Sequence, residues 1–371
     1  MAPFSNLLAA LADVPDPRRA QGKRYPLPYM LLFTVLALLS GAKSYRGIIT
    51  FLEQRREHLN HHFGVDLKRA PVVNTLRMVL QSLPTEALEE AFRRHAKALL
   101  PDGGAGEQPV IAIDGKTLRG SFDHINDRKA AQTLTAFASA SAIVLAHTEI
   151  EDKSNEIPAA QQMIRELGLR DVVFTADAMH CQKTFETAKD TGSFLVAQVK
   201  ANQQTLHDGI EAICAVDPPA DRAETVDRNR HGRQEYRRVE TFDVAGRLGP
   251  DWDGLIVAAV RVTRLTWHKD TPSGLWHPTN ETSFFASQIR LSATAIGAAI
   301  RQHWGIENRS HYVRDVTFFE DHSRIRNKPG HFARFRTFAL NILRANGTTN
   351  VSRELYLNAL NPHHALSYQP A

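Results

Sequence analysis

The 371-residue chain has only two cysteines, Cys181 and Cys214, and they form no CxxC pair. This excludes a disulfide framework and a cysteine-built zinc finger, and it fits a reducing compartment such as the cytoplasm. Low-complexity blocks and internal repeats are absent. The most apolar segment, Leu27 to Ala42, is about 16 residues long and contains Pro28, short of the ~20 that span a bilayer. A buried helix is therefore expected there, and no membrane partner. The opening residues, MAPFSNLLAALADVPDPRR, lack the basic start and continuous apolar core of an export signal, so export is not expected. Seventeen histidines occur without an HExxH motif, and no zinc site is expected.

What is present is a globular composition, 43% hydrophobic and 23% charged, with a net charge of +5. That balance permits a polyanionic partner without requiring one. Residues 5 to 100 read as helices, with Phe4, Leu7, Leu8 and Leu11 on one face and further candidates at 28–40, 44–58, 71–82 and 85–99. A basic loop holding Arg18, Arg19, Lys23 and Arg24 lies between the first two. Pro101-Asp102-Gly103-Gly104 is the best domain boundary. Three strand-like runs follow (110–113, 133–138, 141–148), then helices at 158–167 and 181–191 alternating with strands at 172–175 and 194–199. This order predicts an α/β fold with a mixed sheet and helices on both faces. Residues 205–290 read as a β-rich insertion, helices return at 293–309 and 329–345, and the stretch from about 350 reads as weakly structured.

Two acids stand where strands give way to polar segments. Val110-Ile111-Ala112-Ile113 leads into Asp114, with Lys116 and Arg119 beyond, and Val172 to Ala176 leads into Asp177. Strand ends of one α/β sheet can converge on a ligand, although a single Asp there is more often a helix cap. Glu307 is the one acid in RQHWGIENRSHY, where His303, Glu307 and His311 recur every four residues. Three carboxylates are suited to two hard divalent cations, which stabilise both the attacking and the leaving oxygen in phosphoryl transfer. Neighbouring bases, Lys116, Arg119, Lys183 and Lys200, would then face a phosphate backbone.

The stretches AIDGKTLRGS, EDKSNEIPA, TADAMHCQK, VKANQ, HGRQEYR and HWGIENRSHYVRDVTFFEDHSRIR together resemble the H-repeat-associated family of bacterial insertion-sequence DDE transposases. The similarity runs in order from about residue 5 to 345. It implies a ribonuclease H-like catalytic fold formed by 105–204 and 291–348, interrupted by a β-rich insertion at 205–290. Residues 1–100 become a helical N-terminal domain for recognising DNA ends, and 349–371 a tail. It also implies two Mg²⁺ (or Mn²⁺) ions held by Asp114, Asp177 and Glu307, cleavage of double-stranded DNA at element ends, and strand transfer by the freed 3′-OH. The DNA-bound form is expected to be a homodimer in the bacterial cytoplasm, at the nucleoid.

The wider superfamily has Tyr and Arg before the Glu and Lys seven residues after it. Ile300, His303 and Arg314 occupy those places here, and Tyr312 stands where close relatives usually have Trp. Lys116, Arg119, Lys200, His231, Arg233 and Arg314 are the expected DNA contacts, with Arg314 two helical turns past Glu307 and so on its side of the helix. Two other readings share these residues: a DNA-binding relative that has lost catalysis, and a metal-dependent nuclease without strand joining.

Overall fold

The apolar periodicity of the first hundred residues becomes five helices: α1 (Ser5–Ala12), α2 (Leu27–Leu39), α3 (Tyr45–Phe63), α4 (Val73–Ser82) and α5 (Thr85–Ala98). Then come β1 (Val110–Thr117), β2 (Gln132–Ala138), β3 (Ile143–Ile150), α6 (Glu156–Leu167), β4 (Val173–Ala176), α7 (Gln182–Asp190) and β5 (Phe194–Val199). Next are α8 (Gln204–Val216), the long strands β6 (Asp221–Asn229), β7 (Arg233–Asp243), β8 (Ala258–Lys269) and β9 (Trp276–Ser287), and α9 (Ala293–His303). Two π-helical turns, Glu307–His311 and Val313–Thr317, precede α10 (Pro329–Ala345), α11 (Val351–Leu360) and α12 (Pro362–Leu366). These elements come from a computed structural model that describes residues 4–101, 108–123, 126–150, 156–177, 182–229 and 232–369.

The chain divides into two compact units. The first comprises Met1–Ala105, Gly115–Lys153 and Gly305–Ala371, and the second Gly106–Asp114 and Ser154–Trp304. The helical N-terminal residues are thus not a unit of their own. They pack with β3 and the C-terminal helices, because α2 and α5 both lie against α10.

In the first unit the strand order is β3-β2-β1, with β2 and β3 antiparallel. Helix α2 is apolar on every side and correspondingly buried, from Met30 to Leu39 without a break. Each such Leu or Phe contributes about 1.5–3 kcal/mol by leaving water. Among the described residues no helix is long and apolar enough to cross a membrane. Helix α3 starts at Ser44, whose hydroxyl accepts a hydrogen bond from the Gly47 amide at 3.2 Å, and ends at Gly64 in the left-handed conformation, φ 65°. Helix α10 is buried from Gly330 to Leu343. Residues 351–366, expected to be weakly structured, form the helices α11 and α12 instead. Asn358 of α11 donates to the Leu39 carbonyl at 2.8 Å, and Tyr368 is buried with its hydroxyl on Asn358.

In the second unit the order is β1-β4-β5-β9-β8-β7-β6. Strands β1, β4 and β5 run parallel, joined through α6 and α7, and the rest are antiparallel. Strand β9 pairs directly with β5, Ala286 opposite Ala197, so the β-rich stretch extends the sheet instead of forming a separate layer. It also contains α8, whose Leu206, Ile210, Ile213 and Cys214 are buried at helical spacing. Helix α9 covers the sheet through Ala293, Ile296 and Ile300, packed on Val173, Val196, Val239 and Val260. The architecture is mixed α/β. Its β3-β2-β1 run and parallel β1, β4 and β5 follow the ribonuclease H-like pattern expected.

Candidate active site

The first two acids are neighbours by register. Strands β1 and β4 are paired from Val110↔Val173 to Ile113↔Ala176, so Asp114 and Asp177 each come directly after the last pair of one parallel ladder. Four fully buried residues before each acid (110–113 and 173–176) explain why these strands hold their ends in place. Strand β1 does not stop at Asp114, as the sequence suggested, but continues to Thr117. Asp177 is half-exposed and Lys200, just past β5, places Nζ 3.0 Å from its Oδ1. Close by, His303 at the end of α9 shares a 3.0 Å hydrogen bond with Thr175 Oγ1, two residues before Asp177.

Glu307 belongs to the first unit and is solvent-exposed at the start of a π-helical turn. The regular helix expected through Arg309 ends at His303. A π turn closes its hydrogen bonds from i to i+5 and takes up more residues than an α turn. Seven residues therefore no longer complete two turns, and Arg314 points away from the side that Glu307 occupies. Tyr312 and Val316 are exposed with Glu307, whereas His311 and Arg314 are buried. The Arg309 guanidinium, donating to the Ser139 carbonyl at 2.8 Å, ties this segment to the turn between β2 and β3.

This corrects two expected DNA contacts. Arg314 is fully buried, with Nη2 2.8 Å from Glu320 Oε1, and Glu320 also lies 3.6 Å from the Arg336 guanidinium. Lys116 is buried as well, in contact with Asp315 and 3.8 Å from both Glu320 and Asp321. Neither cation has surface to offer a phosphate. Burial alone would raise the Glu320 carboxyl, but the charges of Arg314, Arg336 and Lys116 hold it below the usual range. Burial raises Asp315 despite its Lys116 partner, and lowers the Arg336 guanidinium to about 10 despite Glu320. Asp315, Glu320 and Asp321 were missed as a group in the sequence. Their only trace in the sequence is that acids bracket the segment Val316 to Phe319, which does not mark them as interior.

The other expected contacts are accessible. Arg119 is 79% exposed and 3.7 Å from Asp321. It precedes Gly120, where a Cβ would come 2.4 Å from the Ser323 carbonyl oxygen, so the RGS turn requires glycine for close backbone approach. Lys200 is half-exposed beside Asp177. Arg233 opens β7 and pairs with Glu235 at 2.7 Å. His231 lies outside the described residues.

Comparison with known proteins agrees with the motifs. Residues 105–343 match the family model described as Transposase DDE domain, and residues 8–96 match the one described as DDE_Tnp_1-associated. The chain belongs to the DDE transposase family. It is 31% identical over 354 residues to "Putative transposase YncI" of Escherichia coli O157:H7, covering 92% of this chain and 88% of that one. It is 29% identical over 350 residues to "H repeat-associated putative transposase YhhI" of Escherichia coli K12, covering 92% and 90%. The H-repeat likeness read from the motifs is thus borne out. A solved structure titled as the piggyBac transposase synaptic complex with hairpin DNA aligns over 97% of this chain and 78% of that one. Its TM-score of 0.42 at 10% identity is too low to establish a common fold.

Proposed function

We propose that the chain cleaves DNA at the ends of a mobile element and joins the freed ends to target DNA, with Asp114, Asp177 and Glu307 as its metal-holding acids. The observation that carries this reading is the register of β1 and β4, which sets Asp114 beside Asp177 in a chain of the DDE family. The donor set fits Mg²⁺ (or Mn²⁺): carboxylate oxygens are hard ligands, and the exposed Lys200 ammonium on Asp177 is a cation that another can replace. Two such ions, when bound, supply charge neutralisation and a lowered pKa for the attacking hydroxyl.

The protein's own residues do the rest. Asp114 and Asp177 hold their places through the buried strands that lead into them, and the His303–Thr175 hydrogen bond fixes α9 against the end of β4. Arg119, Lys200 and Arg233 contact backbone phosphates, which sets orientation without reading sequence. The exposed Arg19, Lys23 and Arg24 contribute to holding element ends, whereas Arg18 is committed to Asp16 and the Tyr25 carbonyl. In the reaction, water attacks a phosphodiester at the element end and leaves a 3′-OH, which then displaces a 3′-oxygen in target DNA. A homodimer would act on a pair of ends.

The test is cleavage and joining of a labelled duplex end with Mg²⁺. Asp114→Asn, Asp177→Asn and Glu307→Gln should each lower cleavage by at least about 10³-fold, the scale of a lost transition-state charge contact, with DNA affinity nearly unchanged. Full cleavage by any one variant removes that residue from the set. Cleavage without joining by the unmodified protein would leave a nuclease.

A further inference from the structure

We infer that His207, Asp208 and Glu211 on α8 form a binding site for a transition-metal cation of the zinc class, separate from the three acids above. These residues offer one ligand atom each, all within 4.8 Å of one another, the one group of three so disposed among the described residues. His207 Nδ1 lies 3.4 Å from Asp208 Oδ1 and 3.9 Å from Glu211 Oε2. A tetrahedral ion with bonds of 2.0–2.1 Å needs its ligand atoms about 3.4 Å apart. Of the three separations, one already meets that value, the His207–Glu211 one is about half an ångström wide, and the two carboxylates lie within 4.8 Å, so a rotation of the exposed Glu211 has to close the set.

The sequence builds the group from helical spacing. His207 and Glu211 are four residues apart and share a face, and Asp208 is turned toward them by Gln204. The Gln204 amide donates to both Asp208 oxygens, at 2.9 and 3.0 Å, an outer-shell support of the kind that orients metal ligands. The His207 ring is held edge-on against Phe284, with centroids 5.3 Å apart, which leaves Nδ1 facing the two carboxylates. Phe284 pairs with Val199, the last residue of β5. The group therefore sits beside the carboxyl end of the strand next to β4, seven to eleven residues beyond Lys200 in the chain.

Its chemistry selects the ion. One imidazole nitrogen with two carboxylates suits Zn²⁺, whereas Mg²⁺ prefers oxygen alone. Three protein ligands leave a fourth position toward solvent, open to water or a phosphate oxygen. The competing arrangement is a proton on Nδ1 shared with the two acids, as in an ordinary surface ion pair.

Calorimetric titration of the full chain with ZnCl₂ separates the two. A parent carrying Asp114→Asn and Asp177→Asn removes the proposed catalytic pair, so the outcome does not depend on the DNA reading. That parent should bind one equivalent that is lost in His207→Ala and weakened at least about 10-fold in Glu211→Gln. Gln204→Ala should keep the stoichiometry and lose about 10-fold in affinity. Millimolar Mg²⁺ should not displace the ion. Thermal unfolding within a few degrees of the parent confirms that each variant is folded. Equal Zn²⁺ stoichiometry and affinity in the parent, His207→Ala and Glu211→Gln would overturn the assignment.

Discussion

Carboxylates at two places in the molecule are held in different ways, one in each unit. In the first, Glu89 and Glu320 are buried and locked. Glu89 accepts from Arg334 at 2.6 Å, from Arg93 at 3.1 Å and from the His147 amide at 2.7 Å, while Glu320 lies among Arg314, Arg336 and Lys116. In the second, Glu235 and Glu240 are buried between arginines too, but three acids pair at the surface, each partner about half-exposed: Asp177 with Lys200, Asp227 with Arg301, Asp243 with Arg290. A buried acid with several fixed cations is committed to the fold, because losing a partner strands a charge away from water. An exposed acid with one flexible cation can exchange it for a metal or a phosphate-bound ion at little cost. The difference separates acids committed to the fold from acids whose cation can be exchanged.

The sharpest way to break this comparison is Arg314→Ala. It removes the closest cation from buried Glu320, and unfolding should become easier by about 3–5 kcal/mol, read from denaturant midpoints. A loss under about 1 kcal/mol would mean that the buried cluster is not what holds this region. Next in size is a pH effect on the same unit. Burial lowers His95 from 6.5 to about 4 and His147 well below its ordinary value, so both stay neutral in the fold while the unfolded chain takes up protons. The contribution of His95 is complete above about pH 6.5 and is lost as pH falls toward 4, at about 1.4 kcal/mol per pH unit for its proton, and His147 adds to the loss in the same direction. His95→Phe should flatten that slope by about one proton between pH 6 and 4.5, and an unchanged slope would assign the proton uptake elsewhere. The smallest effect belongs to the second unit. Lys200→Ala breaks a half-exposed pair and should change stability by no more than about 0.5 kcal/mol, whatever it does to cleavage.

Much of this was legible in the sequence because burial leaves a periodic trace. The apolar runs before Asp114 and Asp177 announced paired interior strands, and α2 announced a buried helix by having no polar face. Helix α8 carries its own 3.6-residue period in Leu206, Ile210 and Ile213, within a stretch whose other elements are strands and polar turns. Helix α11 spreads its apolar residues around the helix and exposes Tyr356 and Leu360, so its pattern is faint until Asn350 is seen capping its first turn. Lys116 and Arg314 read as surface cations because their acids are distant in sequence or masked by an intervening apolar run. No local pattern marks a charge as interior; only the packing of β1, the π turns and α10 does that.

The π turns at 307–317 also bear on kinship between distant proteins. A π turn is what remains when one residue is inserted into an α-helix without unfolding it. Spacings measured across it do not transfer to a relative whose helix is regular, even when every flanking residue aligns. Counting seven positions from Glu307 arrives at an interior arginine, while the residues that share its exposed side are Tyr312 and Val316. An alignment that places a gap inside this segment would match positions by direction in space rather than by count. The phosphate-gripping lysine of other superfamily members would then have its counterpart sought on that outward side.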